Sequence, residues 1–263
     1  MPANQTPTWE YESDIHLLAI SPHLDDAVLS IGAMLKEATS KATATVFTVF
    51  AGDPETPFSP IARKVHEVWN LTETPVQSRR AEDRNALALV GAEAVHGDFL
   101  DFLYREYWET ADTYALKSID TDLKLVSRLS ETVRELITST RPDVVLTCAA
   151  VGDHTDHRHT RDAVLACHSS TEVPILLWED LPYGIRASNP AGLPPGVSLA
   201  GKVVAHSDPS CWNTKYEAVE CYESQQSMLW NGADFRKILN EHAESRADTN
   251  NHEGRVEALW KVA

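Results

Sequence analysis

Short apolar runs, each followed by a helical pattern, recur along this chain, and that alternation restricts the fold more than any other feature. Residues 15–20 (IHLLAI) form a nearly continuous apolar run, the pattern of a strand buried on both faces. The run stops at Ser21-Pro22. From Asp26 onward, Val28, Leu29, Ile31 and Leu35 are spaced to bury one side of a helix. Residues 45–50 predict a second strand, broken by Gly52-Asp53-Pro54. Residues 53–77 hold Pro54, Pro57, Pro60 and Pro75 and read as loop with one short helix. Residues 78–90 predict a helix closed by Gly91, and 94–96 a third strand. A long amphipathic helix follows over 119–138, and then a buried strand over 143–147 (DVVLT). This order calls for an α/β fold, a parallel sheet covered by helices on both faces.

Farther on, residues 182–200 are rich in Pro and Gly and read as a long loop. Residues 202–206 predict a strand, and 211–222 and 233–242 predict helices. Residues 1–13 read as a polar arm. No repeat or linker interrupts the pattern, so residues 1–263 are expected to form a single domain.

Two of the predicted strand exits are loaded with side chains that bind metals. In open parallel sheets, ligands bind where the chain leaves the carboxyl ends of strands. The first exit is Ser21-Pro22-His23-Leu24-Asp25-Asp26, and the second is Gly152-Asp153-His154-Thr155-Asp156-His157. Neither carries a dinucleotide or P-loop glycine pattern, which argues against a phosphate-cradled cofactor. A catalytic zinc takes three protein ligands and leaves one position open. His23, one of the two aspartates, and one histidine of the second exit would supply that set. Each motif also has a structural use: an aspartate at a helix start can cap it, and a histidine cluster can simply be solvated. The pairing of the two exits favours a metal.

Composition narrows the partners. Thirty-nine acidic residues against 23 basic ones give a formal charge of −16, which repels phosphate backbones and anionic membranes. Nucleic acid is not an expected partner. No apolar run approaches the roughly 20 residues that span a bilayer. The N-terminal residues lack the basic and apolar regions of a secretory signal, so a cytoplasmic location is expected. Cys148, Cys167, Cys211 and Cys221 show no CxxC pairing and are expected to be reduced.

The segments SPHLDDAVLSIGA and GDHTDH resemble the paired signatures of the LmbE-like, or PIG-L, family of zinc-dependent N-acetylglucosamine deacetylases. Arg79-Arg80-Ala81-Glu82 and the segment from Asp101 to Arg105 extend the resemblance, which thins beyond His168. It implies a Rossmann-like three-layer sandwich with a mostly parallel sheet. It implies zinc (Zn2+) ligands at His23, Asp26 and His157, a general base at Asp25, and an oxyanion-stabilising or amine-protonating histidine at His154. Asp156 would orient His154. Arg79 and Asp101 would hold sugar hydroxyls. Ala27 stands where many members carry Glu, and Thr155 where Pro is common; the ligand set survives both.

The implied reaction is removal of an acetyl group from a small N-acetylated, sugar-like substrate. Its alternatives are cleavage of a larger acyl or thiol-conjugate amide, a metal-dependent phosphoesterase, and a sugar-binding module without chemistry. A phosphoesterase would want more carboxylates or a second metal. A mere binder has little use for both Asp25 and His154. Trp178, Tyr183 and His206 follow predicted strands and could face the pocket, although core or pocket wall is the commoner place for a Trp such as Trp178, while Trp212, Tyr216, Tyr222 and Trp230 are spaced for the core. Lys215, Ser224 and Gln225 receive no role, and oligomeric state is not legible.

Overall fold

The computed structural model describes residues 5–71, 73–105, 122–187 and 189–263. The expected alternation is present. Strand β1 (His16–Ser21) leads into helix α1 (Asp26–Ala38), then β2 (Thr43–Thr48), α2 (Pro60–Trp69), α3 (Pro75–Val90) and β3 (Glu93–His96). Helix α4 (Leu123–Thr140) precedes β4 (Val144–Cys148), α5 (Thr155–Leu165) and β5 (Ile175–Trp178). The predicted start of α4 at residues 119–121 lies outside the described residues. The chain continues through β6 (Leu199–His206), α6 (Pro209–Glu220), α7 (Gln226–Trp230) and α8 (Phe235–Thr249), and ends in β7 (Val256–Val262).

The seven strands lie in the order β3-β2-β1-β4-β5-β7-β6. Strands β1 to β5 pair in parallel, whereas β7 pairs antiparallel with both β5 and β6. The sheet is therefore mostly parallel, with an antiparallel edge that the sequence pattern did not announce. Alternate residues of each strand feed opposite faces. Leu17, Ala19, Val144, Leu146 and Trp178 pack with α1, α3, α6 and α8; Leu18, Ile20, Val145 and Leu177 pack with α4 and α5. Trp178 is thus core and cannot stack on a ligand. Trp212, Tyr216, Tyr222 and Trp230 are core as expected. His206 bonds His252, with 2.9 Å between ring nitrogens.

Strand order reverses between β1 and β4, because β2 lies on one side of β1 and β4 on the other. Such a switch point opens a crevice at the carboxyl ends of the two strands. Both metal-type motifs leave the sheet there, which is why residues as far apart in sequence as His23 and Asp156 can meet.

The entry helix is itself held by a buried charge pair. Ile31 departs from helical geometry (φ −130°, ψ 24°), and the Ala33 and Met34 N–H groups donate to Glu257 of β7 at 3.1 and 2.7 Å. Lys215 Nζ lies 2.7 Å from the same carboxylate, with both residues buried. Gly32 makes room for that lysine, since a Cβ there would sit 3.0 Å from Lys215 Cγ. Glu257→Leu would leave a buried ammonium and two N–H groups without acceptors. A loss of about 3–5 kcal/mol in urea unfolding is expected, with partial recovery on adding Lys215→Met; a loss below about 1 kcal/mol would contradict this account.

Candidate metal centre

The first loop is shaped by its own polar groups. Ser21 Oγ donates to the His23 carbonyl at 2.9 Å and accepts from Ala27 N at 3.2 Å. This turns the chain from β1 into α1. Asp26, the first residue of α1, accepts from His23 N at 2.9 Å, and Asp25 makes no capping bond. Both carboxylates are thereby free of the capping role that their position suggests, and both line a cavity of about 320 Å³.

The second loop turns sharply. Ala150, Gly152 and Asp153 have φ of 58°, 88° and 62°, a region costly to residues with a Cβ. Asp180, directly after β5, holds this turn by accepting from Ala149 N and Val151 N at 3.0 and 2.9 Å. Helix α5 then starts at Thr155 and carries His157 inward.

Two carboxylate–histidine pairs converge on Asp26. His157 Nδ1 lies 2.6 Å from Asp180 Oδ1, and His23 Nε2 lies 3.1 Å from Asp156 Oδ2. A carboxylate only accepts, so each of those ring nitrogens carries the proton. In the neutral rings the remaining nitrogens are bare. They face one oxygen: Asp26 Oδ2 is 3.2 Å from His23 Nδ1 and 3.3 Å from His157 Nε2. Three acceptors thus look at one another, and the buried His157 Nε2 has no hydrogen-bond partner. Tetrahedral ligands 2.0–2.1 Å from a zinc ion would stand about 3.3 Å apart. The donor set fits a divalent cation.

A different set, His23, His154 and His157, brings three ring nitrogens within 4.8 Å of one another. His154 Nδ1 is already occupied as acceptor for Asp156 N at 3.2 Å. The Asp26 set also supplies a negative charge, so it is the better cation site.

Electrostatics agree with the geometry. Burial opposes charge on His23, yet Asp101, Asp156 and Asp26 hold its pKa well above the usual value. Burial likewise opposes charge on His157, and Asp26 and Asp180 raise it. The same imidazoles hold Asp26 below the usual carboxylate range despite its burial. Protons and a cation therefore compete for one place. Asp25 is pushed up to about 6, first by burial and then by Asp26, with Arg79 opposing from 3.7 Å.

His154 behaves differently. Burial, and then His157 and His23, lower its pKa to about 3. It is therefore a neutral ring whose Nε2–H is available to the cavity, rather than a cation. Here the structure corrects the expected role of Asp156. The Asp156 backbone N–H, not its carboxylate, holds His154. The carboxylate accepts from Phe102 N at 2.9 Å and pairs with Arg105 and His23, because the first turn of α5 points it away from His154.

Arg79 is buried, stacks on Trp69 at 4.7 Å and lines the cavity. Asp101 also lines it, with Oδ1 accepting from Leu103 N at 2.8 Å and Oδ2 3.7 Å from His23 Nε2. Among the lining residues that sequence reasoning did not single out as site residues are Tyr183, offered only as one of several that could face the pocket, and Gln225. Tyr183 crosses His157 edge-on at 5.4 Å. Its ring fits because residue 152 is glycine; a Cβ there would lie 2.7 Å from Tyr183. Asp180 was missed as well, although it follows the apolar run ILLW as the other motifs follow theirs.

The family described as PIG-L, GlcNAc-PI de-N-acetylase, matches residues 18–168. The chain is 31% identical over 189 residues to a 2'-N-acetylparomamine deacetylase of Streptomyces fradiae, covering 67% of this chain and 64% of the relative. The match thus spans slightly less than two thirds of that relative's length. Among solved structures, the zinc-inhibited form of teicoplanin deacetylase Orf2 is similar at a TM-score of 0.87 and 40% identity, over 94% of this chain and 98% of the other. The A40926 pseudoaglycone deacetylase Dbv21 is similar at 0.83 and 38%, over 94% and 96%.

Asp180→Asn gives a direct test of the carboxylate–histidine pair. The amide oxygen can keep the loop N–H groups, but its NH2 would then face His157 Nδ1. That forces the proton to Nε2, where the lone pair is needed. Titration calorimetry with zinc as probe should show about 10–100-fold weaker binding and proton release in the parent protein that grows as pH falls toward the raised histidine pKa values. Unchanged affinity in the variant, or no proton release, would contradict the arrangement.

Proposed function

The chain belongs to the PIG-L, GlcNAc-PI de-N-acetylase, family, and on that premise we propose that it is a zinc-dependent hydrolase removing the acetyl group from an N-acetylated amino sugar. The observation that carries this reading is the convergence of two imidazole lone pairs on Asp26 at one end of an open cavity. In the proposal, His23, Asp26 and His157 hold the cation. A cation there supplies a Lewis acid that polarises an acyl carbonyl and acidifies water near neutral pH.

The chain's own groups do the rest. Asp25 lines the cavity beside Asp26 and is bound by no helix N–H; it takes the proton of the attacking water and returns it to the amine nitrogen as the C–N bond breaks, releasing acetate and the amino sugar. His154, neutral and with Nδ1 engaged, presents Nε2–H to the carbonyl oxygen as negative charge develops. A donor of this kind is commonly worth about 3–4 kcal/mol. Arg79 offers donors and Asp101 a carboxylate oxygen to sugar hydroxyls.

The remaining wall points to what the sugar carries. Ile61, Val65 and Trp69 of α2 face Met228 and Leu229 of α7 across the cavity, and none of these five bears a charge. An apolar group attached to the sugar would bury itself there, whereas a polyamine would find no counter-charge on this wall. The proposed substrate is therefore an N-acetylated amino sugar on an apolar aglycone.

The proposal also takes the chain as one domain acting in the cytoplasm on a small molecule, with no nucleic-acid partner, as its charge of −16 suggests. All four cysteines are free thiols, and no described helix is long and apolar enough to cross a membrane.

Asp25→Asn is expected to retain the cation and to lose at least about 100-fold in acetate release from an N-acetylglucosamine glycoside with an aromatic aglycone. His157→Ala is expected to lose the cation itself. Metal analysis of both variants beside acetate-release kinetics separates the two roles. Near-parental turnover in Asp25→Asn would remove it as the base.

A further inference from the structure

Glu82, Ser224 and Gln225 form a hydrogen-bonded chain that ends at the cavity. The Ser224 backbone N–H donates to Glu82 Oε1 at 2.8 Å, and Ser224 Oγ lies 2.6 Å from Glu82 Oε2. Gln225 Nε2 lies 2.8 Å from Ser224 Oγ. Ser224 and Gln225 are buried, and Gln225 lines the cavity that holds the site. The turn is fixed to α3 a second time, since Tyr222 donates its hydroxyl to Asp83 at 2.8 Å and His96 bonds the other Asp83 oxygen at 2.8 Å.

The polarity of this chain follows from what each group can do. A carboxylate only accepts, so the Ser224 hydroxyl commits its one proton to Glu82. The hydroxyl oxygen then accepts from its other neighbour. Gln225 must therefore turn its NH2 toward Ser224, which leaves Oε1 on the other side of the amide. Among the described residues no group donates to that oxygen. Arg79, one helical turn before Glu82 on α3, lines the same wall with donors only.

We propose that Glu82, acting through Ser224, orients the Gln225 amide so that Oε1 accepts a hydrogen bond from one hydroxyl of the sugar, which makes Gln225 a specificity residue and Glu82 its positioning residue. The inference rests on the reading that this cavity takes an amino sugar. It explains why Ser224 and Gln225, remote in sequence from both metal-type motifs, are buried together against α3.

The test exploits the fact that Glu82→Gln is isosteric and reverses the chain. The new amide would donate to Ser224, whose hydroxyl would then donate to Gln225 and turn its NH2 into the cavity. Calorimetry on the metal-loaded full chain would use the methyl glycoside of N-acetylglucosamine and its monodeoxyfluoro counterparts. Fluorine cannot donate, so the parent protein should prefer the hydroxyl at one ring position by about tenfold. That preference should vanish in Glu82→Gln and in Gln225→Met, while the hydroxyl sugar still binds the former. A variant that is merely loosened would weaken every sugar equally and keep the ratio. Retention of the ratio in both variants, its absence at every position in the parent, or failure of the glycoside to bind overturns the proposal. Binding with the expected ratio but without acetate release would count against the deacetylase reading and leave this one standing.

Discussion

Two buried imidazole nitrogens that face one carboxylate oxygen are the constraint on which this structure turns. Asp26 Oδ2 sits between the bare nitrogens of His23 and His157, and the outer nitrogen of each ring is fixed by its own carboxylate, Asp156 or Asp180. Such an arrangement is repulsive unless a positive charge occupies its centre. Protonated imidazoles, favoured by the raised pKa of both rings, meet that need, and so does a divalent cation that displaces the protons. The outer carboxylates do more than add charge, because they choose the tautomer and hence which lone pairs point inward.

The scaffold makes that meeting possible. Reversal of strand order at β1 and β4 opens the crevice, and each strand delivers a loop that its neighbours then stiffen. Asp180 is the clearest link between fold and chemistry. One of its oxygens holds the left-handed turn at residues 149–151, and the other holds His157. The rigid turn and the correctly oriented ring therefore depend on the same buried side chain.

Much of this was legible in the sequence because strands buried on both faces read as plain apolar runs. The runs at 15–20 and 143–147 placed both motifs at strand exits, and the exits supplied the residues that converge. The family resemblance, rather than the spacing, chose Asp26 over Asp25 and His157 over His154. What could not be read was geometry at the level of single atoms. Asp156 was expected to orient His154, but the turn into α5 sends its carboxylate to His23 and Arg105. Strand β7 was hidden because Glu257 and Lys261 interrupt its apolar pattern, and the sequence does not show that Glu257 is neutralised by Lys215 and two helix N–H groups. Trp178, for which the sequence left both a ligand-facing and a core position open, is claimed by packing between the sheet and its helices.

X-ray absorption at the zinc edge, on protein loaded with one equivalent of zinc, addresses the central claim most directly. The account predicts two imidazole nitrogens and a carboxylate oxygen at about 2.0–2.1 Å, with one imidazole lost in His23→Ala. Cys148, His157 and Asp180 also lie close enough to bind a cation together. A sulfur neighbour at about 2.3 Å, or a shell unchanged by His23→Ala, would place the ion elsewhere and contradict the account.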